Sequence, residues 1–109
     1  MSTDVNAEIL DRLFAVIESR RGADPASSYT AKLLSGGAPK IAKKISEEAA
    51  EVTIAALSEG ADAVILESAD LLYHLLVMWA AMGVRPEDVY AELARREGIS
   101  GIDEKNSRR

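Results

Sequence analysis

Hydrophobic residues three and four positions apart recur along most of the chain, which predicts helices rather than strands. The clearest segment is residues 40–59, which contain no internal Pro or Gly. Its apolar stripe consists of Ile41, Ile45, Ala49, Val52 and Ala56. A second long helix is predicted from about Asp62 to Met82. Because Gly60 leaves only a short connection, the two helices are predicted to be antiparallel neighbours.

The N-terminal segment also has helical periodicity. Thr3 or Asp4 is suited to cap a first helix that runs to about Arg21. The apolar face of this helix consists of Ile9, Leu10, Leu13, Phe14 and Ile17. A breaker loop follows it, and the pattern is typical of a helix that packs on a core.

Glycine and proline mark the next boundary. Residues 27–34 are predicted to form a short helix that ends at Gly36 and Gly37. Pro39 then suits the first turn of the main helix. Hydroxyl groups ahead of a glycine pair can hold a phosphate, although such a pattern is more often only a capped helix start.

The C-terminal quarter contains one more predicted helix, which opens at Pro86 and closes near Gly98. Residues 99–109 are polar and are predicted to be an irregular, mobile tail. The whole pattern predicts an all-α fold: a compact bundle of four to five helices in a single domain, residues 1–109.

The middle of the chain is more apolar than one small bundle can cover. Between residues 71 and 82, the polar groups are His74 and the hydroxyl of Tyr73. A helix that is apolar all round must be covered all round. The sequence therefore predicts a homodimer or a higher even oligomer built on this central apolar helix.

Composition narrows the class of protein. The 109 residues are 28% charged and 48% hydrophobic, which is typical of a globular domain. The sequence has no Cys, so it has no disulfide and no thiolate metal site. Residues 71–84 are too short to span a bilayer, and the N-terminus lacks the pattern of a signal peptide. We therefore expect a cytoplasmic protein without a membrane partner.

Net charge excludes one class of partner and leaves another open. A formal net charge of −5 argues against a general nucleic-acid binder. It is compatible with a small phosphorylated ligand, because the basic residues are locally clustered.

Two groups of carboxylates interrupt the apolar pattern of the central helices. Glu47, Glu48 and Glu51 adjoin the stripe of the first helix, with Glu48 at its edge. Glu67 and Asp70 lie on an almost wholly apolar part of the second. Two carboxylates ~6 Å apart repel by roughly 3 kcal/mol at an effective dielectric of 20, so converging acids need a cation to stay ionised. Oxygen ligands favour Mg²⁺, Mn²⁺ or Ca²⁺ over zinc.

Other interpretations of these residues remain open. The first acidic group is also typical of a solvated helix face, as in a non-catalytic interaction module. A di-iron bundle would need Glu-x-x-His on two helices, whereas the single histidine, His74, is four residues after Asp70. His74 is either an outer-shell partner of Glu67 or Asp70 or a satisfied core histidine.

Lysines next to the acids indicate the chemistry. Lys40 and Lys44 share the arc of the acids, and Lys40 lies ~12 Å along the axis from Glu48. A metal that binds phosphate, with ammonium groups beyond it, is the arrangement used for phosphoryl or pyrophosphoryl hydrolysis.

Four motifs occur in an order that resembles the phosphoribosyl-ATP pyrophosphatase family of histidine biosynthesis. They are SYTAKLL, KIAKKISEEAAEV, ESADLLYHLLV and ELARREGISGIDEK, and the resemblance extends from Tyr29 to Arg108. Glu-Glu-x-x-Glu followed by Glu-x-x-Asp is typical of the wider all-α nucleotide pyrophosphohydrolases, relatives of MazG proteins and dimeric dUTPases. The resemblance implies Mg²⁺-dependent cleavage of a nucleotide, 1-(5-phosphoribosyl)-ATP, to the AMP form and pyrophosphate. A house-cleaning dNTP or dUTP pyrophosphatase is the nearer alternative.

The resemblance also implies roles for individual residues. The metal ligands would be Glu48, Glu51, Glu67 and Asp70, binding Mg²⁺ or alternatively Mn²⁺. Glu47 would orient or deprotonate the attacking water, and His74 would lie in the second shell. The substrate-binding residues would be Tyr29, Thr30, Lys40, Lys43, Lys44, Lys105 and Arg108. Of these, Tyr29 and Thr30 would contact the ribosyl or base portion, and the tail would fold over the phosphates when substrate binds.

Overall fold

The computed structural model describes residues 4–108, and this part of the chain contains helices and no strand. The helices are α1 (Ile9–Ser19), α2 (Tyr29–Ile54), α3 (Ala61–Met82), α4 (Pro86–Arg96) and α5 (Gly101–Ser107). A π-helical turn, Ala55–Glu59, joins α2 to α3 and ends at Gly60, which has a φ of 109°. The all-α prediction is confirmed.

The antiparallel pair α2 and α3 forms the centre of the fold, and α1 packs against α3. Tyr29 at the start of α2 contacts His74 in the second half of α3, whereas Glu48 approaches Glu67 in the first half. The core between α1, α2 and α3 consists of Ile17, Leu33, Ile41, Leu76, Val77 and Ala80. Each large aliphatic side chain buried there contributes about 1.5–3 kcal/mol to stability. The core therefore holds the two acid-bearing helices in a fixed relation.

Helix α2 is broken where the glycine pair predicted it. Gly37 has a φ of 81° and a ψ of 175°, so the backbone leaves the helical conformation for one residue. Pro39 then occupies the first turn of the second segment, where its missing N–H costs no hydrogen bond. Gly36 leaves space for the side chain of Lys40, because a Cβ at position 36 would lie 2.5 Å from Cδ of Lys40.

The start of α1 differs from the prediction. The helix begins at Ile9, and residues 5–8 form turns instead of its first turn. The side chain of Asn6 accepts a hydrogen bond from the N–H of Glu8 at 2.9 Å. Such local bonds compete with helix formation, so Asp4 is not the cap. Thr3, the alternative cap, lies outside the described residues.

The C-terminal segment also differs from the prediction of an irregular tail. Residues Gly101–Ser107 form α5, and the side chain of Ser100 caps it by accepting a hydrogen bond from the N–H of Asp103 at 3.1 Å. Acids in the first turn add favourable interactions with the helix dipole. The segment is too short to show helical periodicity, and Ser100 is the signal in its sequence that indicates a helix start. Mobility of this segment stays a prediction.

The buried face of α2 is rotated relative to the predicted stripe. Ile41, Glu48 and Ala55 are buried, whereas Ala49 and Ala56 are exposed. Glu48, predicted at the edge of the stripe, therefore lies within the face that packs on α3. Alanine at 49 contributed to the apparent stripe but has little surface to bury, so the larger residues decided the orientation.

Helix α3 leaves apolar surface uncovered within one chain. It is long and apolar enough to cross a membrane by length and composition alone, and 22% of its most apolar window is buried. Residues 71–84, which are too short to span a bilayer by themselves, include only the second half of this helix, since it begins ten residues earlier, at Ala61. Glu67 and Asp70 lie inside it, and charged groups are costly in a membrane. The uncovered surface is compatible with the predicted oligomer, which stays a prediction.

Candidate metal centre and its surroundings

Three carboxylates from the two central helices converge at one point. One oxygen each from Glu48 of α2 and from Glu67 and Asp70 of α3 lies within 4.8 Å of the others. Glu48 is only 8% exposed, Glu67 is partly buried and Asp70 is exposed. The Glu-x-x-Asp spacing places the two α3 acids on one face of the helix. The antiparallel packing then brings that face to Glu48.

The fourth predicted ligand, Glu51, adjoins the same group through Glu67. A hydrogen bond with Glu51, followed by burial and by the charges of Glu51, Asp70 and Glu48, raises the pKa of Glu67 to about 7. Oε2 of Glu67 is buried without a hydrogen-bond partner. The structure thus brings three of the four predicted ligands within 4.8 Å of one another and places Glu51 beside Glu67.

The donor set fits a hard divalent cation. All the converging atoms are carboxylate oxygens, which are the ligands that Mg²⁺, Mn²⁺ and Ca²⁺ prefer. A cation would give the unpartnered Glu67 oxygen a partner and relieve the repulsion that raises its pKa. Zinc sites usually contain His or Cys, and neither is in this group.

Lys44 is the lysine that the structure places against the acids. Its Nζ lies 3.3 Å from Oε2 of Glu47 and 3.7 Å from Oε1 of Glu48. The hydrogen bond to Glu47, with Tyr29 and Glu48 nearby, raises the pKa of the Lys44 ammonium. Lys44 therefore carries a fixed positive charge at the edge of the carboxylate group.

Glu47 and the two other lysines lie further out. Glu47 is exposed and is held by Lys44, so it lies beside the converging group rather than within it. Lys40 and Lys43 are exposed and take part in none of the ion pairs found between residues 4 and 108. The stem of Lys40 packs over Gly36 at the break in α2.

His74 forms two hydrogen bonds, neither of them to a carboxylate. Its Nδ1 lies 2.8 Å from the backbone oxygen of Asp70, and its Nε2 lies 3.2 Å from the hydroxyl of Tyr29. The side chain is 5% exposed and fully satisfied. His74 is therefore a satisfied core histidine, and it also contacts the predicted ligand Asp70, although only through the main chain.

Tyr29 and Thr30 belong to a small aromatic cluster beside the acids. The ring of Tyr29 stacks on Tyr73 with centroids 6.2 Å apart, and the hydroxyls of Thr30 and Tyr73 are 2.5 Å apart. Tyr29 is 50% exposed, so its ring is accessible to a ligand. Tyr73 was not among the predicted site residues, although it directly precedes His74 on an otherwise apolar helix.

Of the predicted phosphate contacts from the tail, Lys105 lies in α5 and Arg108 directly follows this helix. Arg108 is 3.5 Å from Glu104, and Lys105 is exposed. Within the described part of the chain, neither forms an ion pair with the converging acids. Closure of the tail over a substrate would require a movement away from this arrangement.

Sequence reasoning missed an ionic cluster that joins α4 to α5. Glu104 is 5% exposed, and its carboxylate lies 2.6 Å from Arg95 and 3.8 Å from Arg96. Hydrogen bonds from Arg95 and Arg96 lower the pKa of Glu92 to about 2. The i, i+4 spacing of Glu104 and Arg108 was the available signal, but pairing with α4 depends on the turn between the helices.

A cavity of about 390 Å³ lies elsewhere, between the end of α1, the end of α3 and the start of α4. Its lining includes Phe14, Arg21, Ala80, Val84 and Pro86. None of the converging carboxylates lines it. Charge, rather than enclosed volume, identifies the candidate site.

The fold and the site define a class: an all-α protein whose two central helices carry facing carboxylates suited to a divalent cation. The model of the family described as phosphoribosyl-ATP pyrophosphohydrolase matches residues 10–97, and the chain belongs to this family of hydrolases. The family predicted from the sequence motifs is therefore confirmed.

Several relatives are similar over nearly their whole length. Proteins named phosphoribosyl-ATP pyrophosphatase from Rhodospirillum rubrum and Paramagnetospirillum magneticum are 62% and 61% identical to this chain. Each alignment covers 94% of this chain, with 87% and 94% of the respective relative. The protein of that name from Azospirillum brasilense is 53% identical over 96% of this chain and 95% of its own length.

Proposed function

We propose that this protein hydrolyses 1-(5-phosphoribosyl)-ATP to 1-(5-phosphoribosyl)-AMP and pyrophosphate, the second step of histidine biosynthesis, with Mg²⁺ as its cofactor. Membership of the family and the names of its relatives support the substrate. The structural observation that carries the proposal is the convergence of the Glu48, Glu67 and Asp70 oxygens within 4.8 Å. Mn²⁺ is the alternative cation, since it accepts the same oxygen donors.

The carboxylates would hold the cation, with Glu51 completing the group beside Glu67. When bound there, Mg²⁺ supplies positive charge that stabilises the developing charge on the phosphate oxygens. In the reaction, water adds across the anhydride bond between the α and β phosphates, which breaks to release pyrophosphate. The tasks left to the chain are to orient the water, neutralise pyrophosphate and hold the nucleoside part.

Glu47 would orient the attacking water and accept its proton. It is exposed and adjoins the converging acids, so solvent can reach it. The ion pair with Lys44, at 3.3 Å, holds its side chain beside these acids, where it can act on a water at the site.

The lysines would bind the phosphates that leave. Lys44 has the strongest structural support, because its ammonium is held at the edge of the acids by Glu47 and Glu48. Lys40 and Lys43 are exposed on the same segment of α2 and would contact phosphate oxygens farther from the acids. Positive charge placed against the leaving group lowers the barrier to its departure.

The nucleoside part would contact the start of α2, and the tail would close on the phosphates. Tyr29 is the accessible member of the aromatic cluster, and Thr30 supports it through Tyr73. Lys105 and Arg108 would reach the substrate only if α5 moves. That movement exchanges the pairing of Arg108 with Glu104 for contacts with phosphate.

The active form would be a homodimer or a higher even oligomer in the cytoplasm, with no nucleic acid or membrane as partner. The oligomer is supported by the exposed apolar surface that runs from the end of α2 through the π-helical turn into α3. This surface consists of Ile54, Leu57, Ile65, Leu66 and Leu72. A second copy would remove it from water.

The direct test is a comparison of substrates. Purified protein is supplied with phosphoribosyl-ATP, dUTP or the other nucleoside triphosphates, with Mg²⁺ or with EDTA, and pyrophosphate release is measured. We expect phosphoribosyl-ATP to have the highest kcat/KM and EDTA to abolish its turnover. Equal or faster turnover of dUTP or a dNTP would contradict the proposed substrate.

A further inference from the structure

A continuous chain of hydrogen bonds connects the backbone of a predicted metal ligand to an accessible phenol. The backbone oxygen of Asp70 lies 2.8 Å from Nδ1 of His74, and Nε2 of the same ring lies 3.2 Å from the hydroxyl of Tyr29. The chain crosses from α3 to the short segment of α2 that precedes the break at Gly37. It therefore fixes that segment relative to the carboxylates.

The direction of these bonds follows from the chemistry of the groups. A backbone carbonyl can only accept, so Nδ1 of His74 must carry the proton and donate it to Asp70. With one proton on the ring, Nε2 has a free lone pair and the hydroxyl of Tyr29 must donate to it. A phenol has a single proton, which is thereby directed away from solvent.

We propose that His74 is a positioning residue that makes the Tyr29 oxygen a dedicated hydrogen-bond acceptor at the substrate site. With its proton held by His74, this oxygen can receive a bond from a ribose hydroxyl or an exocyclic amino group. It cannot donate to a phosphate oxygen. The inference rests on the proposed function, and it assigns Tyr29 to the nucleoside part of the substrate rather than to the phosphates.

The surroundings of Tyr29 restrict the rotation of its ring. Tyr73 stacks on one face, with the two ring planes 22° apart, and His74 meets its edge at 6.0 Å. Tyr73 is itself fixed by its hydroxyl contact with Thr30 and by an edge contact with His74 at 5.0 Å. The phenol is thus held in one orientation before a substrate arrives, which lowers the entropy lost on binding.

The charge next to Tyr29 agrees with this direction. The hydrogen bond that Lys44 donates to Glu47 is the largest cause that raises the pKa of the Lys44 ammonium, and the nearby Tyr29 is the second. The phenolic oxygen therefore lies close to the ammonium group proposed to bind phosphate. The Tyr29 oxygen would then bind hydrogen-bond donors of the nucleoside part, and the neighbouring Lys44 ammonium would bind the phosphates.

The proton positions can be tested directly by NMR, because His74 is the single histidine of this protein. In untagged, ¹⁵N-labelled protein, the two imidazole nitrogen signals need no further assignment. We expect a protonated Nδ1 and an unprotonated Nε2 at the assay pH. Tyr29→Phe should shift the Nε2 signal and leave Nδ1 protonated. A proton on Nε2 would overturn the proposal, and this measurement requires no substrate.

Kinetics of four variants separates positioning from simple filling of space. His74→Asn keeps an amide nitrogen near the position of Nδ1 and has no group at Nε2. His74→Gln instead places a carbonyl oxygen near the position of Nε2. We expect Tyr29→Phe and His74→Asn each to raise KM about fivefold to tenfold, the effect of one neutral hydrogen bond, with kcat within about twofold. The double variant should be no worse than either single variant, and His74→Gln should recover most of the loss.

The matched control is Tyr90→Phe, which removes a tyrosine hydroxyl that donates to Asp11 at 2.9 Å, away from the acids. It should leave KM unchanged. Inhibition by phosphoribosyl-AMP should weaken in Tyr29→Phe, while inhibition by inorganic pyrophosphate should not. Additive losses in the double variant, or weaker inhibition by pyrophosphate, would overturn the inference. If wild-type protein does not hydrolyse phosphoribosyl-ATP, the proposed function fails, and the NMR result still decides the direction of the Tyr29 bond.

Discussion

Glu48 of α2 and Glu67 of α3 direct carboxylate oxygens to within 4.8 Å of each other across a helix pair that otherwise packs through apolar side chains. The Glu67 carboxylate keeps one buried oxygen without a hydrogen-bond partner. A protein retains such a costly contact only where something else compensates for the repulsion. This relationship is the physical basis for the first two predictions.

Asp70→Asn should reduce turnover of phosphoribosyl-ATP by at least about a hundredfold, because a neutral amide binds a divalent cation weakly and several kcal/mol of charge stabilisation are lost. The helical circular dichroism spectrum should be unchanged, since Asp70 is exposed. Asp62→Asn, an exposed acid in the first turn of the same helix, is the control and should retain activity. Comparable kcat in the Asp70 variant would show that this carboxylate is not a ligand.

Metal binding should stabilise the protein more at pH 8 than at pH 5.5. The pKa of Glu67 is raised to about 7 in the folded state, chiefly by Glu51. Without metal, its contribution to stability is fully present below an unfolded pKa of about 4.5 and is lost as pH rises through about 7. Mg²⁺ requires the ionised carboxylate, so the rise in Tm over an EDTA control should grow across this range. An equal rise in Tm with Mg²⁺ at pH 5.5 and pH 8 would show that Glu67 does not need to ionise for the metal to bind.

Lys44→Met should lower kcat/KM by about tenfold to a hundredfold, because the leaving pyrophosphate loses a fixed positive charge and Glu47 loses its partner. Steady-state kinetics with phosphoribosyl-ATP measures this. Lys32→Met, at an exposed position in the first segment of α2, is the control and should behave like the wild type. If both variants lose activity equally, the effect is one of net charge alone.

Glu104→Gln should loosen α5 from α4, because it removes the charge that Arg95 and Arg96 face. Hydrogen bonding from Arg95 lowers the pKa of Glu104, so its contribution is present at neutral pH and is lost as pH falls below about 4.5. We expect faster tryptic cleavage after Lys105 and a lower Tm at pH 7, with a smaller difference from the wild type at pH 3. Glu97→Gln, an exposed acid, is the control.

Deletion of residues 100–109 complements this variant. If the tail closes over the substrate phosphates, the truncated protein should have a higher KM or lower kcat. Its Tm should fall at least as far as that of Glu104→Gln, because the deletion removes Glu104 as well. Unaltered kinetics would show that α5 serves only to cover α4.

Light scattering should give a mass that is an even multiple of 11.7 kDa at micromolar concentration. Leu66→Lys, on the exposed apolar surface of α3, should lower the mass toward that of one chain, because an unpaired charge at an interface is costly. Leu93→Lys, at an exposed leucine of α4, is the control and should keep the oligomer. A wild-type monomer would contradict the predicted association.

Local sequence was sufficient to predict α2, α3 and α4 and the glycines at which the helical pattern is interrupted. Gly37, Gly60 and Gly83 interrupt the helical pattern, and each has the positive φ that a glycine tolerates and other residues avoid. These are local properties, set by each residue and its near neighbours. Spacing along one helix also sufficed to place Glu67 and Asp70 on a common face.

Which side chains meet depends on how the helices pack against one another. Glu48 is buried because larger apolar residues orient α2, so its carboxylate faces α3 instead of flanking it. The hydrogen bond that Tyr29 donates to His74 and the pairing of Glu104 with Arg95 join residues on different helices. Periodicity specifies the face of a helix but not the rotation and depth at which two faces pack. Those follow from the volumes of all the side chains between them, which no single segment of sequence contains.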